Sequence, residues 1–230
     1  MPIKKYYKNI MNNDFVIIRN VCNQTLLDET KIDYEPQIII NGKNGIYGQK
    51  LLTKLFVEDK IQDKYRFVCL IDEDCLLYDI QHLYDIVSYM NTNSIDIMGV
   101  SDGGKIDIRK HRPDVPNLFF VIIDTTKLKT MIIDELLSYS VKNGERGTNY
   151  AYDNFEPYYK TLCFMNEKLN YTFVSFDAKT IIDSTTTEVY FNEKPICLHT
   201  WYARKYNVDD IQTKRIDYAI HYKQTKKTVS

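Results

Sequence analysis

Residues 67–74 read Phe67-Val68-Cys69-Leu70-Ile71-Asp72-Glu73-Asp74, so five apolar residues run directly into three carboxylates. A run this short and this apolar is typical of a strand buried on both faces, as in a parallel sheet covered by helices. Open α/β sheets bind their ligands at the carboxyl ends of such strands. Three adjacent acids repel one another unless a cation or another positive group lies beside them. The sequence therefore predicts a charged ligand site at the end of this strand.

The rest of the chain alternates between patterns typical of strands and patterns typical of helices. The predicted strands are residues 15–18, 37–40, 66–71, 95–100, 118–123, 171–176 and 196–198. The predicted helices are residues 49–62, 78–91, 127–140, a part of 155–170, and a surface helix after about residue 207. This order predicts an α/β fold with a mostly parallel central sheet flanked by helices, in a single domain over residues 1–230. Mobile segments are expected at residues 1–13, 143–149 and 224–230.

Composition restricts the class of protein. The chain has 230 residues, 44% of them hydrophobic and 27% charged, as in folded globular domains. A formal net charge of −1 gives no general attraction to nucleic acid or to anionic lipid, so no nucleic-acid partner is expected. The 5 cysteines lack a CxxC spacing, which predicts reduced thiols and a cytoplasmic location. The sequence begins without the apolar segment of a signal peptide, and no apolar run reaches the length of a membrane span.

The acidic residues at 72–74 suit a divalent cation. Asp72 and Asp74 are two positions apart, so in extended backbone their side chains point the same way, while Glu73 faces elsewhere. Hard carboxylate oxygens are the ligands that Mg²⁺ and Mn²⁺ prefer. A cation beside a nucleotide crevice would hold a diphosphate. The alternative interpretation is an acidic loop exposed to solvent.

A second polar segment, residues 199–204, also follows an apolar strand. As neutral imidazole, His199 is a candidate third metal ligand. Arg204 can pair with phosphate oxygens as a fork, and Trp201 can cover a sugar or a base. The alternative is a buried tryptophan beside a histidine that finds its hydrogen bonds locally.

A glycine-containing turn begins at Asp102, and the basic segment 109–113 follows it. Arg109 and Arg112 in this segment are candidate ligands of a diphosphate or of an anionic acceptor. The alternative is an exposed basic loop whose charges are neutralised by nearby acids.

Two further carboxylates, Asp153 and Glu156, stand among aromatic residues. Either could act as a general base that deprotonates an acceptor hydroxyl. Asp153 could instead cap a helix N-terminus, whereas Glu156 precedes Pro157 and is not expected inside a helix. Glu156 is the preferred base. Tyr158 and its neighbour could line an acceptor site or belong to the core.

These segments, in this order, resemble glycosyltransferases of the GT-A fold, the nucleotide-diphospho-sugar transferase superfamily. The resemblance covers most of residues 14–206, and its nearest types are small transferases of surface-polysaccharide gene clusters and of large DNA viruses. The matching segments are residues 72–74, 99–104, 109–124, 153–156 and 199–204.

The resemblance implies a function and a role for each candidate residue. It implies transfer of a hexose from a nucleotide-diphosphate sugar, expected to be UDP-linked, to a hydroxyl of a glycan, lipid-linked or protein acceptor. Mn²⁺ or Mg²⁺ would bridge the diphosphate, and the first half would bind the nucleotide while the second half binds the acceptor. The implied metal ligands are Asp72, Asp74 and His199. The implied donor-binding residues are Arg19, Asn41, Asp72, Asp102, Arg109, Arg112, Trp201 and Arg204. The implied catalytic residues are Glu156 and Asp153.

Several alternatives remain open at this stage. The second strand is not followed by an acidic residue of the kind with which many members bind uracil, and the sequence leaves inverting and retaining chemistry undecided. A degenerate sugar-nucleotide-binding module is one alternative. A sugar-phosphate nucleotidyltransferase would normally have a glycine-rich loop after the first strand, and residues 19–25 contain no glycine. A metal-dependent phosphoesterase would need more ligands than the 4 histidines of the chain supply.

Overall fold

The computed structural model describes residues 14–42, 46, 48–101, 115–140 and 159–227, and it contains both strands and helices. The strands are β1 (Phe15–Val21), β2 (Gln37–Asn41), β3 (Phe67–Ile71), β4 (Cys75–Leu77), β5 (Ile97–Ser101), β6 (Pro116–Asp124), β7 (Phe173–Ser175), β8 (Asp177–Thr180), β9 (Thr187–Phe191) and β10 (Lys194–His199). All seven predicted strands are confirmed, with shifted ends. The expectations for residues 1–13 and 143–149 lie outside the described residues.

The helices are α1 (Gln24–Glu29), α2 (Gln49–Thr53), α3 (Gln81–Asn93), α4 (Ile133–Ser138), α5 (Tyr159–Lys168) and α6 (Asp210–Lys227). The continuous helix predicted over residues 49–62 is wrong in detail, because α2 passes into a π-helical turn at Lys54–Glu58 and a separate 3-10 turn follows. The helix predicted over residues 127–140 is likewise divided into a 3-10 turn and α4. Helix α6 continues to Lys227, and the expected mobility from residue 224 stays a prediction.

The larger sheet is mixed, with the strand order β2-β1-β3-β6-β5-β7. Strands β1, β2 and β3 pair in parallel, as do β5 and β7, but β6 runs antiparallel to both β3 and β5. Five of the six strands therefore run in the same direction, so the sheet is mostly parallel as expected, and β6 is the one reversed strand within it. All nine residues of β6 are buried, and a continuously apolar strand indicates burial on both faces without indicating direction.

The smaller sheet has the order β4-β10-β9-β8 and is antiparallel throughout. Sequence analysis predicted only its strand at residues 196–198. Its members are short, and β4 occupies the three residues between the acidic segment and the helix that was predicted from residue 78. Residues of both sheets join one hydrophobic cluster, in which Ile71 and Met98 of the larger sheet accompany Val189 and Cys197 of the smaller one.

The core lies on both faces of the larger sheet, and β3 supplies residues to each face. Phe67, Cys69 and Ile71 join the cluster under α3, whereas Val68 and Leu70 join the cluster under α2 and α5. These five side chains are at most 2% exposed. The predicted strand buried on both faces is therefore confirmed, and full burial of each large apolar side chain contributes about 1.5–3 kcal/mol.

The strand directions bring several chain segments to one edge of the larger sheet. The carboxyl ends of β1, β2 and β3 lie at this edge, because the three strands are parallel and adjacent. Strand β5 also ends there, and its last residue, Ser101, pairs with Pro116 at the start of β6. The acidic residues that follow β3 are therefore surrounded by the ends of neighbouring strands.

Gly99 in β5 lies where the backbone leaves no room for a side chain. A Cβ atom built there would lie 2.7 Å from the Cβ of Pro116 and 3.1 Å from the Cγ2 of Val121. We expect Gly99→Ala to reduce the free energy of unfolding by about 1–3 kcal/mol, as overpacked core substitutions do. Urea unfolding measures this change. The control Ser88→Ala, on the exposed side of α3, should stay within about 0.5 kcal/mol of the wild type. An equal effect of the two substitutions would contradict the assigned packing of β5 against β6.

Candidate functional site

The three acids form a turn between the two sheets. The backbone N–H of Cys75 donates to the carbonyl of Asp72 at 3.1 Å, and the N–H of Asp72 donates to the carbonyl of Phe119 at 2.9 Å. The expectation of an extended backbone at residues 72–74 is therefore wrong. The chain has to change direction here, because it leaves β3 in one sheet and enters β4 in the other. We call residues 72–74 the acid turn.

Asp74 contacts His199, and residues that bind one metal ion have to lie this close together. The Nε2 of His199 lies 3.2 Å from the Oδ1 of Asp74, and both side chains are less than a tenth exposed. The pairing of β4 with β10 produces this contact, since Cys75 stands opposite His199. The N–H of Thr200 also donates to the carbonyl of Asp74 at 3.1 Å. Two segments that are more than a hundred residues apart in sequence thus meet at one buried point.

The imidazole of His199 is held between aromatic rings. Its ring stacks on Phe119 with centroids 3.9 Å apart and planes 9° apart, and it lies 4.2 Å from the ring of Trp201. Its Nδ1 is buried and has no hydrogen-bond partner among the described residues. This nitrogen is therefore a polar atom that the described part of the protein leaves unsatisfied.

Arg19 lies beneath the acid turn and is completely buried. Its guanidinium donates to the carbonyl of Asp72 at 3.2 Å and to the hydroxyl oxygen of Thr30 at 3.0 Å. The hydroxyl of Thr30 in turn donates to the carbonyl of Glu73 at 2.7 Å. This geometry makes Arg19 a support for the backbone of the turn. Its predicted contact with a nucleotide base stays a prediction.

The charges of the acid turn are only partly compensated. Burial, followed by repulsion from its two acidic neighbours, raises the pKa of Asp72, although Arg19 and Arg204 oppose this shift. Burial and the charge of Asp74 raise the pKa of Glu73 to about 7. Burial also acts to raise the pKa of Asp74, but the attraction of His199 and several hydrogen bonds outweigh it, so this pKa is lowered. Asp74 is therefore the ionised member of a group that favours additional positive charge.

The other described candidates lie around the acid turn. Arg204 is exposed, and its charge acts on both Asp72 and the Cys22 thiol. Trp201 is half-buried, and its indole N–H lies 3.4 Å from the hydroxyl oxygen of Thr187. Asn41 is exposed at the carboxyl end of β2, opposite the last residue of β1. Five predicted site residues lie outside the described residues: Asp102, Arg109, Arg112, Asp153 and Glu156.

The residues of the acid turn fit a divalent cation that is completed by substrate oxygens. Among the described residues, no group of three or more His, Cys, Asp and Glu side chains has the arrangement of a complete metal cage. Mg²⁺ usually binds through one or two carboxylates together with substrate phosphates, so a complete cage is not required. Asp72 and the ionised carboxylate of Asp74, with the Nε2 of His199 at 3.2 Å beside it, can supply the protein ligands of such a site.

Sequence analysis missed the residues that support the site. Thr30 ties Arg19 to the acid turn, Phe119 stacks on His199, and Arg215 of α6 donates to the carbonyl of Trp201 at 2.6 Å. Thr30 and Arg215 lie outside the matching segments, and Phe119 lies in the segment 109–124 without an assigned role, because each reaches the site only through tertiary packing. Apolar runs and short motifs carry no information about such contacts.

A separate groove of about 350 Å³ lies between α3 and the turn that joins β9 to β10. Its aromatic part is formed by Tyr89 and Phe191, whose rings meet edge to face at 5.2 Å. Among the predicted site residues that the structure describes, none lines this groove. It is therefore distinct from the acid turn.

Comparisons with known proteins leave the function open. No protein-family model matches the chain, and no curated protein matches it. Among solved structures, the crystal structure of A197 from STIV matches with a TM-score of 0.42 and 13% sequence identity, covering 80% of this chain and 93% of that chain. A likeness of this size supports no conclusion about function. Within the described ranges, no helix is long and apolar enough to cross a membrane.

The raised pKa of Glu73 gives a prediction about stability and pH. The folded state keeps a proton on Glu73 between its ordinary pKa of 4.5 and about 7, while the unfolded state has lost it. Stability that depends on this group therefore falls as the pH rises through that interval. In protein treated with a chelator, we expect Glu73→Gln to gain stability over the wild type, by about 1–3 kcal/mol more at about pH 8 than at about pH 4.5.

Urea unfolding at the two pH values measures this difference. Glu193→Gln is the matched control, because it removes the same charge from an exposed position in the turn between β9 and β10. A pH-independent difference between Glu73→Gln and the wild type would contradict the assigned environment of Glu73.

Proposed function

We propose that the chain is a metal-dependent glycosyltransferase that moves a hexose from a nucleotide-diphosphate sugar, expected to be UDP-linked, to a hydroxyl of an acceptor. The observation that carries this proposal is the buried contact of Asp74 with His199 inside a group of three acids at the carboxyl end of β3. Ligands bind at this end of strands in open α/β sheets. Three neighbouring acids whose ionisation a positive charge would favour suit a cation, and a cation at such an edge suits a diphosphate.

The residues that would hold the cation are Asp74, Asp72 and His199. When bound, Mn²⁺ or Mg²⁺ would stabilise the negative charge of the leaving diphosphate. Asp74 offers an ionised carboxylate whose direction is fixed by His199 and by the chain at Thr200. Asp72 is less buried than Asp74 and offers a second oxygen ligand, or an acceptor for a ribose hydroxyl.

The remaining described candidates suit the donor. Arg204 is exposed beside the acid turn, where its guanidinium could pair with diphosphate oxygens as a fork. Trp201 is half-buried next to His199 and offers an aromatic face to a sugar or a base. Asn41 stands at the same sheet edge, at a position suited to the nucleotide base. We assign Asp102, Arg109 and Arg112 to the donor on sequence grounds.

The proposal includes the GT-A form of the α/β fold and a cytoplasmic location. The first is supported by the position of the acid turn between a mixed sheet and a smaller antiparallel sheet. The second is supported by the five cysteines, which are all free; four of them are buried and Cys22 is half-buried. The acceptor would be a glycan, a lipid-linked intermediate or a protein, bound by the second half of the chain.

Donor binding is the first test, because it requires no knowledge of the acceptor. In a thermal-shift panel of UDP-, GDP- and dTDP-linked sugars with and without Mn²⁺, we expect one nucleotide class to raise the midpoint only with Mn²⁺. At about a hundredfold excess over the Kd, the rise should be about 5–10 °C for a chain of this size. Asp74→Asn should abolish the Mn²⁺-dependent part, because it removes the ionised ligand while keeping the shape of the side chain.

Asp63→Asn is the matched control, since it removes an aspartate charge at an exposed position far from the acid turn in sequence. An unchanged Mn²⁺-dependent shift in Asp74→Asn would refute the metal assignment. The absence of a shift with every nucleotide sugar would refute the donor assignment. Donor binding without transfer or donor hydrolysis would instead identify a degenerate sugar-nucleotide-binding module.

The two candidate bases are tested by single substitutions to alanine. If transfer inverts the anomeric carbon, a base must take the acceptor proton, and we expect Glu156→Ala to lower kcat by about 10²–10⁴-fold. Asp153→Ala should then have the smaller effect, and donor affinity should be unchanged in both variants. Release of nucleoside diphosphate measures the rate. Appreciable activity in both variants would contradict the assigned base and indicate a retaining mechanism.

A further inference from the structure

Arg215 of α6 reaches across to the chain that follows His199. Its guanidinium donates to the carbonyl of Thr200, to the carbonyl of Trp201 at 2.6 Å and to the hydroxyl oxygen of Thr186 at 3.1 Å. Its Nε donates to the side chain of Gln212 at 2.9 Å within the same helix. All three guanidinium nitrogens therefore have partners, and two of the acceptors are backbone carbonyls next to the candidate site.

The chain at these carbonyls has an unfavourable conformation. Trp201 has a φ of 55° and Tyr202 a φ of 63°, both in the left-handed region that side chains with a Cβ rarely adopt. Such a conformation persists only where surrounding contacts impose it. On one side, Thr200 is bound to the carbonyl of Asp74, and on the other side Arg215 binds the carbonyls of Thr200 and Trp201.

We propose that Arg215 is a positioning residue of the site: it fixes the chain at residues 200–201 so that His199 faces Asp74 and Trp201 stays beside His199. As a statement about donor binding, this inference rests on the proposed function. The charge of Asp74 acts on Arg215, but the hydrogen bonds of Arg215 go to residues outside the acid turn, so it positions the site through the backbone of residues 200–201. The planar fork of arginine suits two adjacent carbonyls, which a lysine ammonium satisfies less completely.

Helix α6 offers a matched control. Lys226, near the other end of the helix, lies 3.3 Å from the buried carboxylate of Glu188 in β9. Lys226→Met therefore removes a cation and a polar contact between the same helix and the smaller sheet, without touching residues 199–201. Effects of a loosened helix should appear in both Lys226→Met and Arg215→Met, whereas effects on positioning should appear only in Arg215→Met.

The first measurement needs no ligand. Trp201 is the only tryptophan of the chain, so its fluorescence reports on this segment alone. We expect Arg215→Met to raise the acrylamide quenching constant of Trp201 at least about twofold, because the segment opens locally. Lys226→Met should leave this constant unchanged. Arg215→Lys should give an intermediate value, and it serves in place of Arg215→Met if the latter does not fold.

The second measurement is Mn²⁺ affinity in the presence of UDP, followed by electron paramagnetic resonance of the free ion. We expect Arg215→Met to weaken this affinity by about 10–100-fold, the range found when a group that orients a metal ligand is removed. Lys226→Met should keep the affinity of the wild type. A wild-type protein that does not bind Mn²⁺ with UDP would refute the proposed function, while the quenching result would still decide the positioning role. Equal quenching and equal affinity in Arg215→Met and Lys226→Met would refute the positioning role.

Discussion

The contact between Asp74 and His199 joins the two sheets of the molecule at one buried point. Asp74 follows the central strand β3, and His199 ends β10 of the smaller sheet. A buried polar contact of this kind contributes little net stability, because the cost of removing both groups from water offsets most of their attraction. Its effect is on geometry, since it fixes where the acid turn stands relative to the aromatic rings of Phe119 and Trp201. The geometry of the site therefore depends on the relative position of the two sheets.

Arg19, which supports the acid turn from beneath, also affects the geometry of the site more than its stability. Arg19 is completely buried, and its guanidinium donates hydrogen bonds to Thr30 and to the backbone of the turn. It therefore places one positive charge beneath the acids without reaching the surface. Opposite this single buried charge stand three carboxylates, and the shifts of their pKa values differ in direction. Because Glu73 and Asp74 are 4% and 5% exposed, bulk water does little to screen repulsion between their charges. Ionisation of Asp72 and Glu73 is therefore unfavourable, and a bound cation would favour it.

The sequence predicted those features that depend on local pattern. The apolar run at residues 67–71 has one interpretation, and the strand is buried on both faces as expected. The direction of β6 could not be predicted, because an apolar run of this kind suits parallel and antiparallel neighbours equally. The meeting of Asp74 with His199 was anticipated because each follows an apolar strand and has a side chain that can bind a metal, and the family resemblance implied the same pair. The role of Arg215 was beyond sequence reasoning, since its acceptors are backbone carbonyls, which look alike in every sequence.

The chemistry of the acid turn also bears on the choice between an enzyme and a binding module. A module that only binds a nucleotide sugar needs shape and hydrogen bonds, and these can be supplied by neutral side chains. Three adjacent acids are unfavourable for that purpose, because they repel a diphosphate unless a cation lies between them. A cation held by these carboxylates would stabilise a diphosphate most strongly when the diphosphate leaves with added negative charge. Such an arrangement suits a transfer reaction better than simple binding. For this reason the transferase is preferred to the binding module as the account of residues 72–74.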